Sequence, residues 1–239
     1  MNKIKFSIVI PCFNEAKSLP ALLHMYKQAV TRDDIQIVVV NNGSSDESKT
    51  ILDKATGDYP FLKVVTVSVN QGYGFGILSG LKEADGEYLG WTHGDLQAPA
   101  GDIIKAVEII EREGNPQNIY VKGNRKERPP FDNFFTFGMT IFESVYLRCF
   151  LYDINAQPNI FHKNFFASWS NPPYDFSLDL YALYQAKKQK LRIVRFPVIF
   201  GKRIHGESHW NVNWMGKWKF IKRTLQFTFK LKKSFALKK

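Results

Sequence analysis

A chain of 239 residues, 44% of them hydrophobic, is long enough for one well-packed α/β domain and too short for two full ones. Its two cysteines, Cys12 and Cys149, lie far apart at no paired metal or redox spacing, which argues against a disulfide scaffold or a zinc site and fits a reducing, cytoplasmic setting. The net charge of +11 is concentrated in residues 213–239, which hold nine Lys or Arg and no acid and leave +2 on the rest, so nucleic-acid binding by the whole domain is disfavoured.

The opening MNKIKFSIVIPCFNEA sets lysines before an apolar run, as a signal peptide does, but Pro11, Asn14 and Glu15 cut the run short and it reads as a first strand. Apolar residues at helical spacing follow in NEAKSLPALLHMYKQAV. DIQIVVV is a second strand ending in NNGSSDES, where Gly43 permits a tight turn and Ser44, Ser45 or Asp46 can cap the helix running toward Ala55. FLKVVTVSV makes a third strand, ending in NQGYGFG, with ILSGLKEA as the third helix. A fourth strand ends at Leu89 to Trp91 and empties into THGDLQAP, whose one acid, Asp95, is either a ligand-facing carboxylate or a cap. Gly94 lets the backbone approach what Asp95 binds, and Pro99 starts the helix AGDIIKAVEIIERE.

This alternation predicts an α/β fold with a doubly wound, mostly parallel sheet and right-handed crossovers. Ligands of such sheets bind beyond the carboxyl ends of the strands, which gathers residues 11–15, 41–46, 70–76 and 93–97 on one rim, with Asn70, Gly72 and Gly76 among them. Four polar or glycine-rich strand ends on one edge point to a nucleotide site.

Beyond Arg112, NIYVKGNRKERP reads as a fifth strand and a basic loop, and FDNFFTFGMTIFESVYLRCFLYDI as an aromatic helix packed in the core or touching lipid or a partner. DINAQPNIFHK reads as irregular backbone at a pocket, FSLDLYALYQAKKQK as a helix and LRIVRFPVIF as a late strand. KRIHGESHW carries Arg203, His205, Glu207, Ser208 and His209 around Gly206, groups that grip phosphates. His24 and His162 read as surface or packing residues. No run of about 18 apolar residues occurs, so no membrane span is expected. Residues 1–212 form the expected catalytic domain and 213–239 a basic aromatic tail. In that tail Trp214, Trp218, Ile221 and Leu225 make an apolar stripe that either lies in the surface of an anionic membrane or packs on the domain.

Four stretches, SIVIPCFNEAKSLPALL, VVVNNGSSDES, NQGYGFGILSGLKEADGEYLGWTHGDLQAP and PVIFGKRIHGESHW, resemble in order and content the inverting nucleotide-sugar glycosyltransferases of family two with the A-type fold. Within that family they are similar to the polyprenyl-phosphate sugar transferases of the dolichyl-phosphate mannose synthase kind. The resemblance covers nearly the whole catalytic core. It implies a nucleoside held by Pro11, Asn14, Glu15, Asn41, Asn42, Gly43 and Asp46. It also implies a divalent metal, Mn2+ or Mg2+, held on the sugar diphosphate by His93 and Asp95 with Gln97 as a third contact. Arg203, Gly206 and Ser208 would close over the phosphates, and Arg125 would meet them from the other side. Two departures stand out. The family's Asp-Asp is Asn41-Asn42 here, and its Asp-x-Asp is His93-Gly94-Asp95, which leaves one carboxylate where the family usually offers two.

The implied reaction is displacement at the anomeric carbon of a nucleotide sugar, with charge building on the leaving diphosphate next to Asp95, Arg125 and Arg203. A hydroxyl acceptor needs a general base, for which Asp175 and Asp179 are candidates, whereas a lipid phosphate needs none; the other reading of Asp175 is as a cap of the helix after it. The expected acceptor is membrane-borne, a polyprenyl phosphate or a lipid-linked sugar, reached from the cytoplasmic face by a peripheral enzyme. The alternative acceptor is a saccharide of a surface glycan. Two other readings compete. Gly72, Gly74 and Gly76 follow a strand and open a helix, with Asp95 about 20 residues beyond, as in dinucleotide-binding oxidoreductases. The motif departures also suit a nucleotide-binding module without activity.

Overall fold

A computed structural model describes residues 3–126, 138, 140–201, 222, 225–229 and 231–232. Arg203, Gly206 and Ser208 and most of the expected basic tail lie outside the described residues. Seven strands form one sheet in the order β3-β2-β1-β4-β6-β5-β7. They are β1 (Phe6–Cys12), β2 (Ile35–Asn42), β3 (Leu62–Val67), β4 (Tyr88–Trp91), β5 (Ile119–Lys126), β6 (Asn159–His162) and β7 (Arg192–Ile199). The helices are α1 (Leu19–Ala29), α2 (Ser48–Ala55), α3 (Tyr73–Glu83), α4 (Gly101–Arg112), α5 (Lys163–Ala167) and α6 (Leu178–Lys188).

The period-two geometry of the strands divides their side chains between two cores. Ile8, Ile10, Ile37 and Val39 pack on one face with Leu19 and Leu22 of α1, Leu52 of α2 and Ile103 and Ile110 of α4. Val9, Val38 and Val40 pack on the other with Ile77 and Leu81 of α3 and Leu178 and Leu183 of α6. Burial on both faces is why β1 and β2 read as unbroken apolar runs. β3, β2, β1 and β4 are parallel, with Cys12 opposite Asn41 and Val9 opposite Trp91. From β1 the chain winds out to β2 and β3 on one side and crosses to β4 on the other, which makes the β1/β4 seam the topological switch point.

Three elements depart from the sequence expectation. Part of DINAQPNIFHK, expected to be irregular, is β6, a fully buried four-residue strand antiparallel to both β4 and β5. Its polar ends, Asn159 and His162, hide it from a pattern search, but each is satisfied internally. His162 Nδ1 accepts the N–H of Asn164 at 3.2 Å and so caps α5, a helix the sequence did not suggest. Helix α3 begins at Tyr73, earlier than ILSGLKEA implied, because Gly72, at φ 116°, turns the chain into it.

The described part of the aromatic stretch is helical over 140–146 and packs against the helical residues 225–229. Phe142 stacks on Tyr146, Phe229 meets Tyr146 edge-on at 4.9 Å, and Lys232 Nζ lies 4.1 Å over the Tyr146 ring. On the outer side Ile141, Val145 and Phe150 stay 48, 73 and 70% exposed. Glu143, by contrast, is buried, its Oε2 has no hydrogen-bond partner, and burial pushes its carboxyl up to about 8. Between the ordinary 4.5 and about 8 the folded chain keeps a proton that the unfolded chain releases, so stability falls as pH rises across that window and stays low above it. Glu143→Gln should flatten this dependence and leave the variant more stable than the parent at about pH 8.5, as read from urea midpoints there and at about pH 5.

Candidate active site

The loops after β1 and β2 are laced together by side chains that take backbone hydrogen bonds. Asn14, at φ 56°, donates its N–H to Ser44 Oγ at 3.0 Å and accepts from Ser45 N at 2.8 Å. Glu15 N donates to Ser48 Oγ at 3.0 Å, while Asp46 accepts the N–H of Ala16 and of Ser48, each at 3.0 Å. Burial opposes the Asp46 charge, but hydrogen bonds from Ser48 and Ala16 outweigh it and hold the carboxyl below its ordinary range. Asp46, one residue before the N-cap Glu47, is thus the residue whose carboxylate takes the first N–H of α2. Asn41 Oδ1 accepts from Ser44 N at 3.1 Å and closes the turn. Gly43 must be glycine: it sits at φ +72°, and a Cβ there would lie 2.4 Å from Asn70 N.

The turn after β2 reaches the loop after β3 through Asn42, whose Nδ2 donates to Gly72 O at 3.0 Å. Asn70 Oδ1 accepts from Gly72 N at 2.8 Å. Asn42 Oδ1 is buried and has no hydrogen-bond partner among the described residues, and the Asn42 amide lies beside Pro11 and Gly76, since a Cβ on Gly76 would meet Asn42 Nδ2 at 2.9 Å and Pro11 Cβ at 3.3 Å. The glycines of NQGYGFG serve the chain itself. A Cβ on Gly72 would meet Tyr174 O at 2.5 Å, and one on Gly74 would meet Pro173 O at 2.6 Å. Segment 173–175 thus occupies the approach that a bound pyrophosphate would need in a dinucleotide-binding turn, which removes the spacing argument for an oxidoreductase.

Beyond β4 the chain turns tightly over the end of β1. A Cβ on Gly94 would come within 3.1 Å of both Cys12 Sγ and Ile10 Cγ2, so glycine lets this loop lie close on the switch point without displacing them. Burial raises the Cys12 thiol, and the nearby charges of Glu15 and Asp95 raise it further, so Cys12 is packing rather than a nucleophile. Asp95 Oδ1 accepts from Gln97 N at 3.2 Å, and the His93 ring neighbours Tyr73 at 5.9 Å and Phe200 at 6.0 Å between centroids. Gln97 and Gly201 exchange two hydrogen bonds, Nε2 to Gly201 O at 3.1 Å and Gly201 N to Gln97 O at 2.9 Å, which joins the chain leaving β7 to this loop. With Nε2 spent there, Oε1 is the atom Gln97 can offer a cation. Among the described residues no three His, Cys, Asp or Glu side chains form a metal cage. The set His93, Asp95 and Gln97 suits instead a cation that draws most of its ligands from phosphates and water.

Arg125 and Asp179 both have internal partners. Arg125 is paired with Asp153, its N donating to Oδ2 and its Nε to Oδ1, each at 2.7 Å, with the two side chains 11 and 5% exposed. Its charge is thus matched by a buried carboxylate that no sequence motif marks. Asp179 is 2% exposed, and its Oδ1 accepts from Trp91 Nε1 at 3.1 Å and Gln157 Nε2 at 2.8 Å; burial raises its carboxyl, with Lys122 and His93 opposing. A carboxylate so enclosed is a poor general base for an acceptor from solution. Asp175 Oδ1 accepts from Ser177 N at 2.9 Å, a turn just ahead of α6, whose N-cap is Ser177.

A family model described as "Glycosyl transferase family 2" matches residues 7–181. Among curated proteins, an undecaprenyl-phosphate 4-deoxy-4-formamido-L-arabinose transferase from Pseudomonas syringae pv. syringae (strain B728a) is 36% identical over 129 residues, 52% of this chain and 38% of that protein. A transferase of the same name from Yersinia pestis (strain Pestoides F) is 34% identical over 127 residues, again covering 52% and 38%. The match thus spans well under half the length of these relatives. Among solved structures, a mannosyltransferase from Pyrobaculum calidifontis in complex with GDP-Man and Mn2+ superposes at a TM-score of 0.65 with 18% identity, covering 87% of this chain and 59% of that one. Glucosyl-3-phosphoglycerate synthase from Mycobacterium tuberculosis, with Mn2+ and UDP, superposes at 0.69 with 15% identity, covering 95% and 79%. At these identities the structures speak to the fold, which is that of the A-type glycosyltransferases.

The Arg125–Asp153 pair makes a direct prediction. Asp153→Ala would leave a buried guanidinium without its counter-charge and should cost about 3–5 kcal/mol in denaturant unfolding, with the m-value unchanged.

Proposed function

The chain belongs to glycosyl transferase family 2, and from that premise we propose that it moves a sugar from a nucleotide-sugar donor to a membrane-borne acceptor, most simply a polyprenyl phosphate, with inversion. The observation that carries this reading is the convergence on the β1/β4 seam of the interlocked nucleoside-side loops and the His93–Gln97 loop, the latter tied to the chain leaving β7. The names of the undecaprenyl-phosphate relatives support the acceptor, and the nucleotide complexes of the structural neighbours support the donor.

Asp46, Asn14 and Asn41 hold the two loops that flank the nucleoside. His93, Asp95 and Gln97 would hold a divalent metal, which would supply positive charge against the leaving diphosphate. Asp95 is the one carboxylate of that set, so it fixes the position of the charge. Imidazole at residue 93 suits Mn2+ better than Mg2+, which prefers oxygen ligands throughout. The enclosure of Asp179 favours the phosphate acceptor, because an acceptor that arrives as an anion needs no base. Arg203, Gly206 and Ser208 remain the proposed phosphate clasp.

No helix among the described residues is long and apolar enough to cross a membrane. The exposed side chains Ile141, Val145, Phe150 and Phe229, beside a tail with nine cations, form the face we assign to the surface of an anionic bilayer at its cytoplasmic leaflet. Ile141→Glu with Val145→Glu should reduce co-sedimentation with anionic liposomes at low salt and leave the melting temperature unchanged; unaltered co-sedimentation would remove this face from the reading.

With donor supplied, Asp95→Asn should lower turnover by about 100-fold or more, the scale on which preorganised charge stabilisation is lost, with little change in stability. Excess chelator should abolish activity, and Mn2+ should restore it better than Mg2+. Transfer to a short-chain polyprenyl phosphate should survive Asp175→Ala and give a product labile to mild acid. Transfer to a saccharide alone, lost in Asp175→Ala, would replace the lipid phosphate by a sugar acceptor and leave the family membership standing.

A further inference from the structure

A second set of polar side chains is sealed between the sheet and α6, below the rim. Lys122 of β5 is fully buried, and its Nζ donates to Ala156 O at 2.6 Å and to Asn159 Oδ1 at 2.7 Å. Asn159 of β6 passes the connection on, its Nδ2 donating to Gln157 Oε1 at 2.6 Å and to Asp179 Oδ1 at 3.3 Å. Gln157 Nε2 donates both to Asp179 Oδ1 at 2.8 Å and to the hydroxyl of Tyr73 at 3.3 Å. Tyr73, the first residue of α3, stacks on Phe176 at 4.6 Å and 12° and stands 5.9 Å from the His93 ring.

Stability alone does not account for this arrangement. Burial pushes the Lys122 ammonium down to about 7 against the attraction of Asp179, and buried charged groups of this kind are often replaceable by apolar residues at no net cost. What such a network does provide is one hydrogen-bonded geometry with no slack. Among the described contacts the network reaches the rim through the hydroxyl of Tyr73, whose ring abuts His93, and through Asp179, which accepts from Trp91 Nε1 at the end of β4 and feels the His93 charge.

We propose that the chain of hydrogen bonds from Lys122 through Asn159 and Gln157, braced by Asp179, positions Tyr73 and through it the His93 ring at the donor diphosphate, so that Tyr73 and Lys122 are positioning residues for the transfer reaction. The inference rests on the assignment of the His93–Asp95 loop to the donor diphosphate. It names residues that touch neither donor nor acceptor and that no sequence motif marks.

The test reads the His93 ring itself. The imidazole Cε1–H resonances of the five histidines are recorded in the full-length protein, with His93→Gln to assign the one of interest. Tyr73→Phe keeps the ring and its stack on Phe176 and removes only the hydroxyl, so the fold is retained. It should shift the His93 resonance, leave those of His24 and His162 in place, and raise the Mn2+ concentration for half-saturation in the presence of UDP or GDP by about two- to tenfold, the scale of one lost neutral hydrogen bond. Lys122→Met, three hydrogen bonds from Tyr73, should move the same resonance. An unmoved His93 resonance in Tyr73→Phe, or one that moves there but not in folded Lys122→Met, overturns the proposal; if Lys122→Met does not fold, Tyr73→Phe alone decides it. Asp95→Asn serves as the reference. Loss of Mn2+ binding in Asp95→Asn beside wild-type behaviour in Tyr73→Phe would sink the positioning network only, whereas wild-type Mn2+ binding in Asp95→Asn would sink the site assignment beneath it.

Discussion

The burial of β1 on both faces is the constraint from which the rest of the molecule follows. Ile8 and Ile10 are committed to one core and Val9 to the other, so the strand has no solvent face on which to carry a functional group. Chemistry can leave such a strand only at its end, where Pro11 to Glu15 emerge beside the ends of β2 and β4. The same constraint acts on β4, whose four residues are all buried, and the first half-exposed side chain beyond it is His93. The site is therefore located by where the sheet stops being able to bury side chains.

Glycines and amides then decide how closely the rim loops approach one another. Gly43, Gly72 and Gly94 each stand where a Cβ would meet another segment at 3.1 Å or less. Asn14, Asn41, Asn42 and Asn70 supply the bonds that the displaced backbone groups need. Few of these side chains are free to move, which suits a site whose work is to hold charge in place while a diphosphate leaves. Farther along the sheet the fold meets a different demand. An antiparallel β6 inserted between β4 and β5 brings Asn159 beside Lys122, and the 153–157 segment ahead of it brings Asp153 to Arg125. Two buried cations are thereby satisfied by one short, polar stretch of chain.

The parallel half of the sheet was legible because apolar period and glycine-rich turns agree there: β1 to β4, α1 and the rim loops stand where the pattern put them. The family was legible for the same reason, since its motifs lie at those strand ends. What the sequence hid is instructive in its cause. NIFH of β6 carries polar residues at both ends, each of which finds its partner only in the folded sheet, so no local pattern marks it as buried. Arg125 and Asp179 carry charges that look available in sequence and are spent internally, on Asp153 and on Trp91 and Gln157. One signal was present and passed over: Lys122 interrupts the run IYVKG, and a lysine in a strand buried on both faces requires a partner somewhere.

The replacement of Asp-Asp by Asn41-Asn42 has a local cause at its second position. Asn42 is buried, and its Nδ2 donates to Gly72 O at 3.0 Å with Asn70 Oδ1 another 3.5 Å away. A carboxylate in that place would turn an oxygen toward two oxygens, with no donor and little water, a juxtaposition that costs the full desolvation of the charge. The amide is therefore what this chain's own loop requires once Gly72 turns toward β2 to admit segment 173–175. Position 41 is freer, because Oδ1 alone closes the turn on Ser44 N and a carboxylate oxygen would do the same. The charge lost at 41 is thus open to explanation by the donor, and the charge lost at 42 by the fold.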